Sequence, residues 1–466
     1  MLFSSIPFLY YYLPIVILLY FLVPKGMKNT VLLFSSLFFY GWGEPRYLAF
    51  MLVSIAQGYV LGILIEKYHG SKWSKVFLTT SIIFSLSLLG YCKYADFFIE
   101  NFNYVTGLSV PLLKIALPIG ISFYTFQIIS YEIDIYRQNV KAQKNLINLG
   151  TYIAMFPQLI AGPIVRYADI EKQLVERTHT LADCAAGVRR FSIGLGKKIL
   201  LANILAEFVA EFKGADEQSI LFFWAYAFAY MLHVYFDFSG YSDMAIGLGR
   251  IFGFKYMENF RYPYISATVS EFWRRWHISL GSWFRDYLYI PLGGNRVSKA
   301  RHMFNIFVVW TATGLWHGAA WNFAIWGIFF AVVLTIEKQW LMPVLQKIGA
   351  LRHIYVLLLI TISFVIFDAS DMSSAVYYLK SMFGLTALPL ISEQALYYIS
   401  SYKTLFIIGA IGATPLPKLI VQKLADKKST ACLLNVLEPL FVAALFLLCT
   451  AYLIDGSFNP FLYFRF

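Results

Sequence analysis

Long apolar stretches, broken by short charged ones, recur along the chain from Leu9 to Ile454. They lie at Leu9–Val23, Val31–Tyr40, Tyr47–Ile65, Val76–Tyr91, Ile115–Ile133, Phe191–Val209, Ile220–Tyr235, Met303–Trp316, Trp321–Ile336, Ile354–Phe367, Thr404–Ala413 and Leu440–Ile454. This pattern predicts an all-α polytopic membrane protein with about twelve transmembrane helices. Several stretches fall short of the roughly 20 residues that a straight crossing needs, so some are expected to tilt, break or re-enter. Leu146–Val165 contains Pro157, Gly162 and Pro163 and reads as such a partial insertion. Backbone at that depth must be covered by protein or line a cavity. No stretch reads as a separate soluble domain. We expect one membrane domain over 1–466, with N-terminal spans in 1–235, a motif-bearing region in 236–330 and C-terminal spans in 331–466.

Charge sharpens this picture. The chain is 59% hydrophobic and only 14% charged, far below the roughly 25% charged residues of soluble domains. The first stretch lacks a basic leader and a small-residue cleavage site, so it reads as a retained span. Basic loops (Lys25/Lys28, Lys67/Lys72/Lys75, Arg137/Lys141/Lys144, Lys338/Lys347/Arg352 and Lys418–Lys428) alternate with acidic or weakly charged ones (Asp96/Glu100, Glu211–Glu217, Asp368/Asp371 and Glu393). The positive-inside rule puts the basic set in the cytoplasm and both termini outside, at the plasma membrane. It also accounts for the net charge of +12 without nucleic acid. Four cysteines are scattered without paired spacing, which indicates neither a disulfide framework nor a metal site.

One segment departs from the alternation. Ser239 to His302 interleaves arginines and lysines with Trp273, Trp276, Trp283 and several other aromatics. Such residues favour the headgroup level, which predicts amphipathic, interfacial helices on the cytoplasmic side.

The chemistry-bearing residues lie in and beside this segment. Trp316-His317-Gly318 places an imidazole in an otherwise apolar run, with Gly318-Ala319-Ala320 expected to open room beside the ring. An ionisable group in hydrocarbon is a candidate for function, and an imidazole suits proton transfer near neutrality. A second candidate, His277, ends Glu271-Phe-Trp-Arg-Arg-Trp-His. There Arg274 and Arg275 either bind a phosphate-rich donor or anchor an interfacial helix. Asp237-Phe-Ser-Gly-Tyr-Ser-Asp243 has two readings as well. Asp237, Ser239, Tyr241 and Asp243 line an entrance and orient an imidazole, or else they cap a helix over Met244–Phe252. Arg285-Asp286 offers an ion pair, and Pro291-Leu-Gly-Gly-Asn295-Arg296 a tight turn. His69, His179, His302 and His353 read as ordinary solvated residues, and His233 as a hydrogen-bonded core histidine.

Four long motifs then carry a resemblance. Tyr235–Gly249, Glu271–Leu280, Arg285–Arg296 and Gly314–Gly318 resemble the membrane-bound O-acyltransferase (MBOAT) family, and within it the branch that O-acetylates bacterial alginate. Leu117–Tyr124, Phe156-Pro157 with Ile160–Pro163, and Pro460–Phe464 fit the same branch. Asn322 in Ala319-Ala320-Trp321-Asn322 departs from it, since related proteins often place an asparagine earlier. The resemblance implies helices around a central tunnel, with His317 catalytic and His277 its partner. It also implies a cytosolic acyl thioester such as acetyl-CoA as co-substrate, a polysaccharide acceptor, and an exported or membrane-anchored acetyl-handling partner protein.

Together these readings predict an acyltransferase moving a short acyl group from a cytosolic thioester to an exported hydroxyl. His317 is expected as general base, and His277 as a group that holds the donor or stabilises charge. Arg274, Arg275, Arg285, Asp286, Trp273, Trp276, Trp316, Asn295 and Arg296 are the expected donor-binding or supporting residues. No metal is called for. The rivals are D-alanyl transfer to teichoic acid, a glycan or lipid transporter with a histidine proton relay, and a non-catalytic scaffold. Thioester turnover by the purified protein separates the enzymes from the other two.

Overall fold

A computed structural model describes residues 2–160 and 162–456. Ala161 of the Ile160–Pro163 motif and the whole of Pro460–Phe464 lie outside the described residues. Helices follow the apolar stretches: α1 Leu13–Leu22, α2 Lys28–Gly43, α3 Leu48–Lys67, α4 Lys72–Thr106, α5 Ile121–Tyr136, α6 Leu146–Ala154, α7 Phe156–Leu159, α8 Tyr167–Val175, α9 Leu181–Gly196, α10 Ile204–Gly214 and α11 Ile220–Ile251. Beyond them come α12 Val269–Arg275, α13 Ile278–Phe284, α14 Lys299–His317, α15 Trp321–Ile336, α16 Met342–Lys347, α17 Leu351–Asp368, α18 Met372–Met382, α19 Glu393–Gly412, α20 Leu416–Ala425 and α21 Lys428–Asp455. Local chemistry sets many ends. Asn145 accepts hydrogen bonds from the N–H groups of Ile147 and Asn148 at the start of α6, and Gly107 closes α4 in the left-handed conformation.

The fold is all-α, as the pattern predicts, and the chain is a multi-pass membrane protein. Among the described residues, six helices are long and apolar enough to cross a bilayer, and a seventh span results if α19 and α20, bent by 63°, count as one. The other predicted stretches are also largely helical, but they are short or interrupted. Pro7–Leu22, for example, is a shorter apolar helix, and residues 107–120 lie outside any helix, so α5 starts only at Ile121. A count of twelve full crossings therefore does not follow from length and apolarity. The Leu146–Val165 segment folds as α6 and α7 followed by irregular backbone, and Leu149–Ile160 and Gly162–Val165 are all buried.

The chain forms two compact units, Met1–Phe191 with Met244–Met257, and Ser192–Asp243 with Glu258–Phe466. In the first, α3, α4 and α5 pack around polar groups. Glu132, fully buried on α5, accepts hydrogen bonds from Gln57 of α3, at 3.1 Å, and from Ser81 of α4.

In the second unit, α14 and α15 pack closely against each other along their length. Gly314 and Gly327 make it possible. A Cβ on Gly314 would lie 2.3 Å from the Phe323 carbonyl oxygen, and one on Gly327 would lie 2.4 Å from that of Trp310. Both obstacles are backbone, so a methyl group must push the helices apart. Gly314→Ala is therefore expected to cost about 1–3 kcal/mol of stability, the usual range for overpacking. An unchanged thermal unfolding midpoint in detergent would count against this packing.

Candidate active site

The site is built at two helix ends in the second unit. His317 is the last residue of α14, 8% exposed, with its ring 5.0 Å from Trp316, 5.2 Å from Trp326 and 5.3 Å from Phe367. The room expected beside it is already filled, because a Cβ on Gly318 would meet the Phe323 ring at 2.1 Å. Glycine here admits a packed aromatic ring rather than an open space. Asn322 does not engage the imidazole either. Its Nδ2 donates to the Ala369 carbonyl at 3.0 Å and ties the start of α15 to the end of α17.

His277 sits between α12 and α13 with φ 45° and ψ 53°, a left-handed conformation uncommon for residues other than glycine, although histidine adopts it more readily than most. Such backbone persists only where its surroundings hold it. Phe238 of α11 packs edge-on against the imidazole at 4.6 Å, and Trp316 lies 6.0 Å away. Trp316 thus touches both imidazoles, and the two histidines are close enough to interact electrostatically. Nε2 of His277 is buried and has no hydrogen-bond partner among the described residues. Its Nδ1 lies 3.3 Å from Oδ1 of Asn259, a residue that the sequence did not single out.

The α12 helix carrying the arginines is anchored at its N-terminus. Buried Glu337 accepts from the N–H groups of Val269, at 2.6 Å, and Ser270, at 2.9 Å, while Thr268 caps Glu271. Glu271 in turn pairs with Arg275 at 2.8 Å. Burial works against the Glu271 charge. The Ala267 N–H, the Arg275 hydrogen bond and the charges of Arg275 and Arg274 outweigh it and hold the carboxyl below its ordinary range. Arg275 is therefore engaged within the protein, whereas Arg274 is exposed. Trp273 packs on Trp310, Trp326 and Phe330, one ring removed from His317, and Trp276 is buried against Phe260, Phe272 and Phe364. Arg285 and Asp286 form a 2.6 Å pair, and Asn295 and Arg296 are exposed in a turn with positive φ at Gly293 and Gly294. These four belong to the surface, apart from the buried imidazoles.

The Asp237–Asp243 segment departs from its capping reading. It caps nothing, because α11 runs straight through it. Its carboxylates hold lysines, and Asp237 also acts electrostatically on the His233 imidazole. Asp237 pairs with Lys198 at 2.5 Å, both side chains almost wholly buried, and Asp243 pairs with Lys197 at 2.7 Å. The two lysines open Lys197–Asn203, a π-helical stretch between α9 and α10. An inserted π turn of this kind often marks a functional position. Gly240, between the two acids, lets the chains approach, since a Cβ there would lie 2.8 Å from the Gly194 carbonyl oxygen. At 100° per residue, Phe238 and Ser242 fall on the other side of α11. Ser242 supports His277 indirectly, by accepting from Asn259 Nδ2 at 3.0 Å. Ser239 and Tyr241 are buried.

Of the remaining histidines, His233 is a core residue whose Nδ1 contacts the Ala202 carbonyl at 2.8 Å. His179 and His353 are less solvated than expected, at 2.9 Å from the Tyr20 hydroxyl and 3.0 Å from the Ser266 carbonyl. Two lysines inside the apolar stretch Phe191–Val209 were a legible signal for acidic partners. Asn259, Trp326 and Phe367 carried no comparable mark.

Residues 137–379 match the sequence profile of the membrane-bound O-acyltransferase family. The whole chain aligns at 38% identity with the whole of a probable alginate O-acetylase from Pseudomonas putida. A probable alginate O-acetylase from Azotobacter vinelandii is 41% identical over 82% of this chain and 78% of its own length. A peptidoglycan O-acetyltransferase from Helicobacter pylori is 34% identical over 85% of this chain and 82% of its own.

Proposed function

From the premise that this chain belongs to the membrane-bound O-acyltransferase family, we propose that it moves an acetyl or similarly short acyl group from a cytosolic thioester, such as acetyl-CoA, to a hydroxyl of an extracellular or cell-surface polysaccharide. That it is an O-acyltransferase follows from the family and its O-acetylating relatives. The donor, the direction and the residues are our reading. One observation carries it: two buried imidazoles share the Trp316 ring, one at the end of α14 and the other held in left-handed backbone. His317 acts as general base on the acceptor hydroxyl as the hydroxyl attacks the thioester carbonyl. Proton transfer to the departing sulfur then restores the imidazole. Arg274, exposed beside the aromatic cluster, is the donor-side cation.

The alginate-type motifs and the identity to two alginate O-acetylases favour acetyl transfer over D-alanyl transfer. An exported or anchored partner with a serine nucleophile would receive the acyl group and complete delivery. A serine ester conserves the group and divides one hard transfer into two. The decisive experiment reconstitutes the protein in liposomes with labelled acetyl donor inside and polymer outside. Label should reach the outside only with active protein, and reach polymer efficiently only when the partner is added. Efficient labelling of polymer by this chain alone would remove the partner from the scheme.

By loop charge, the part of Ser239–His302 that follows α11 faces the cytoplasm and both termini face outside. Lys299→Cys should resist an impermeant thiol reagent in intact cells and react once the membrane is opened. Reaction in intact cells would move the donor entrance to the other face.

A further inference from the structure

Asn259 lies outside every helix, yet it grips the backbone around His277. Its carbonyl accepts from the Ile278 N–H at 3.0 Å, and its Oδ1 accepts from the Ser279 N–H at 3.2 Å and the Ser279 hydroxyl at 2.9 Å. Its Nδ2 donates to Ser242 of α11. A backbone N–H only donates, so the Ser279 contact fixes which end of the Asn259 amide is oxygen. That oxygen faces Nδ1 of His277 at 3.3 Å. An amide oxygen cannot donate, so Nδ1 carries the hydrogen and the lone pair of the neutral ring falls to Nε2. Nε2 is the buried atom that has no hydrogen-bond partner among the described residues. A buried acceptor left unpaired is costly, and a donor arriving with the substrate removes that cost.

We propose that Asn259 is a positioning residue that locks His277 in its Nδ1–H form, so that Nε2 receives a hydrogen bond from a donor of the bound substrate other than the reacting hydroxyl. This assignment rests on the reading of His277 as part of the transfer site, and it changes the role expected for that residue. An imidazole locked in this way does not donate to a developing negative charge. It orients the substrate through that second donor, while His317 takes the one proton of the reacting hydroxyl.

The electrostatic setting makes the idea testable. The titratable group that acts on His277 is His317, from α14. On α11 the nearby acids Asp237 and Asp243 are paired with Lys198 and Lys197, and Phe238 and Ser242 are the uncharged residues turned toward His277 and Asn259. Asn259→Asp keeps the shape and places a carboxylate beside Nδ1–H, which favours the imidazolium. Protonated Nε2 cannot accept, so the acidic limb of the pH–rate profile should move up by about 1–2 units. Asn259→Leu releases the lock and should lower kcat about 10–100-fold, the usual effect of losing a group that orients a reactive imidazole.

Nitrogen-15 spectra of histidine-labelled protein in detergent, with His277→Gln to assign the signal, read the tautomer without turnover. The wild-type His277 should show a bare Nε2, and Asn259→Leu a mixture. A protonated Nε2 in the neutral wild-type ring, as would follow if the Ser279 hydroxyl donated to Nδ1 from 3.4 Å, overturns the proposal. So does a pH profile that Asn259→Asp leaves in place. A bare Nε2 combined with full activity in His277→Ala would instead overturn the transfer role of His277.

Discussion

His317→Ala is expected to abolish acyl transfer, by about 10²–10⁴-fold, while the protein still inserts and folds. The size of the effect comes from the removal of a general base. The survival of the fold comes from the position of the residue. His317 ends α14 rather than lying within it, and the helix is held by its backbone contact with α15 at Gly314 and Gly327. Of its ring neighbours, Trp326 and Phe367 stay packed on each other, 5.5 Å apart, when the imidazole is gone. Thioester turnover and a thermal melt on the same sample would check both halves. Turnover at the wild-type rate in folded His317→Ala would falsify the assignment. A smaller loss is expected for His277→Ala, since the base itself remains.

The second large effect concerns stability. Lys198→Met should destabilise the second unit by about 3–5 kcal/mol, because it leaves the Asp237 carboxylate buried without its cation. The double change Lys198→Met with Asp237→Leu should recover most of that loss, since replacing both charges by apolar groups of similar volume is often close to neutral. Thermal unfolding of the two variants and of Asp237→Leu alone would close the cycle. If the single lysine variant melted like wild type, or the double variant fared no better than the single, the pair would not have the energetic role that its burial implies.

How far the sequence reached depends on the range of the interaction. The apolar stretches located the helices because burial is encoded locally, residue by residue, and the glycine turn at Gly293-Gly294 was legible for the same reason. The histidines were visible because a polar group in an apolar run stands out. The capping reading of Asp237 to Asp243 failed because it weighed local preference. Serine, glycine and aspartate ordinarily end or begin helices, but here Gly240 admits another stretch of backbone and the acids meet lysines 39 and 46 residues away. Tertiary contact overrode propensity. Asn259 was illegible for a further reason. A side chain in irregular backbone belongs to no periodic pattern, and its importance arises only from what the fold brings to it.

The α15 helix has a consequence for life in a fluctuating bilayer. It begins four residues after His317 and ends against Glu337, whose carboxylate grips the start of α12, the helix that leads to His277. One continuous strut of fixed pitch therefore sets the span between the two halves of the reaction centre. At 1.5 Å and 100° per residue, even a single inserted residue would swing Glu337 off α12. Lipid thickness acts on the outer ends of spans, whereas this distance is measured along a helix backbone. The spacing of the imidazoles is thus referred to a helix of the protein's own, whose length is fixed residue by residue.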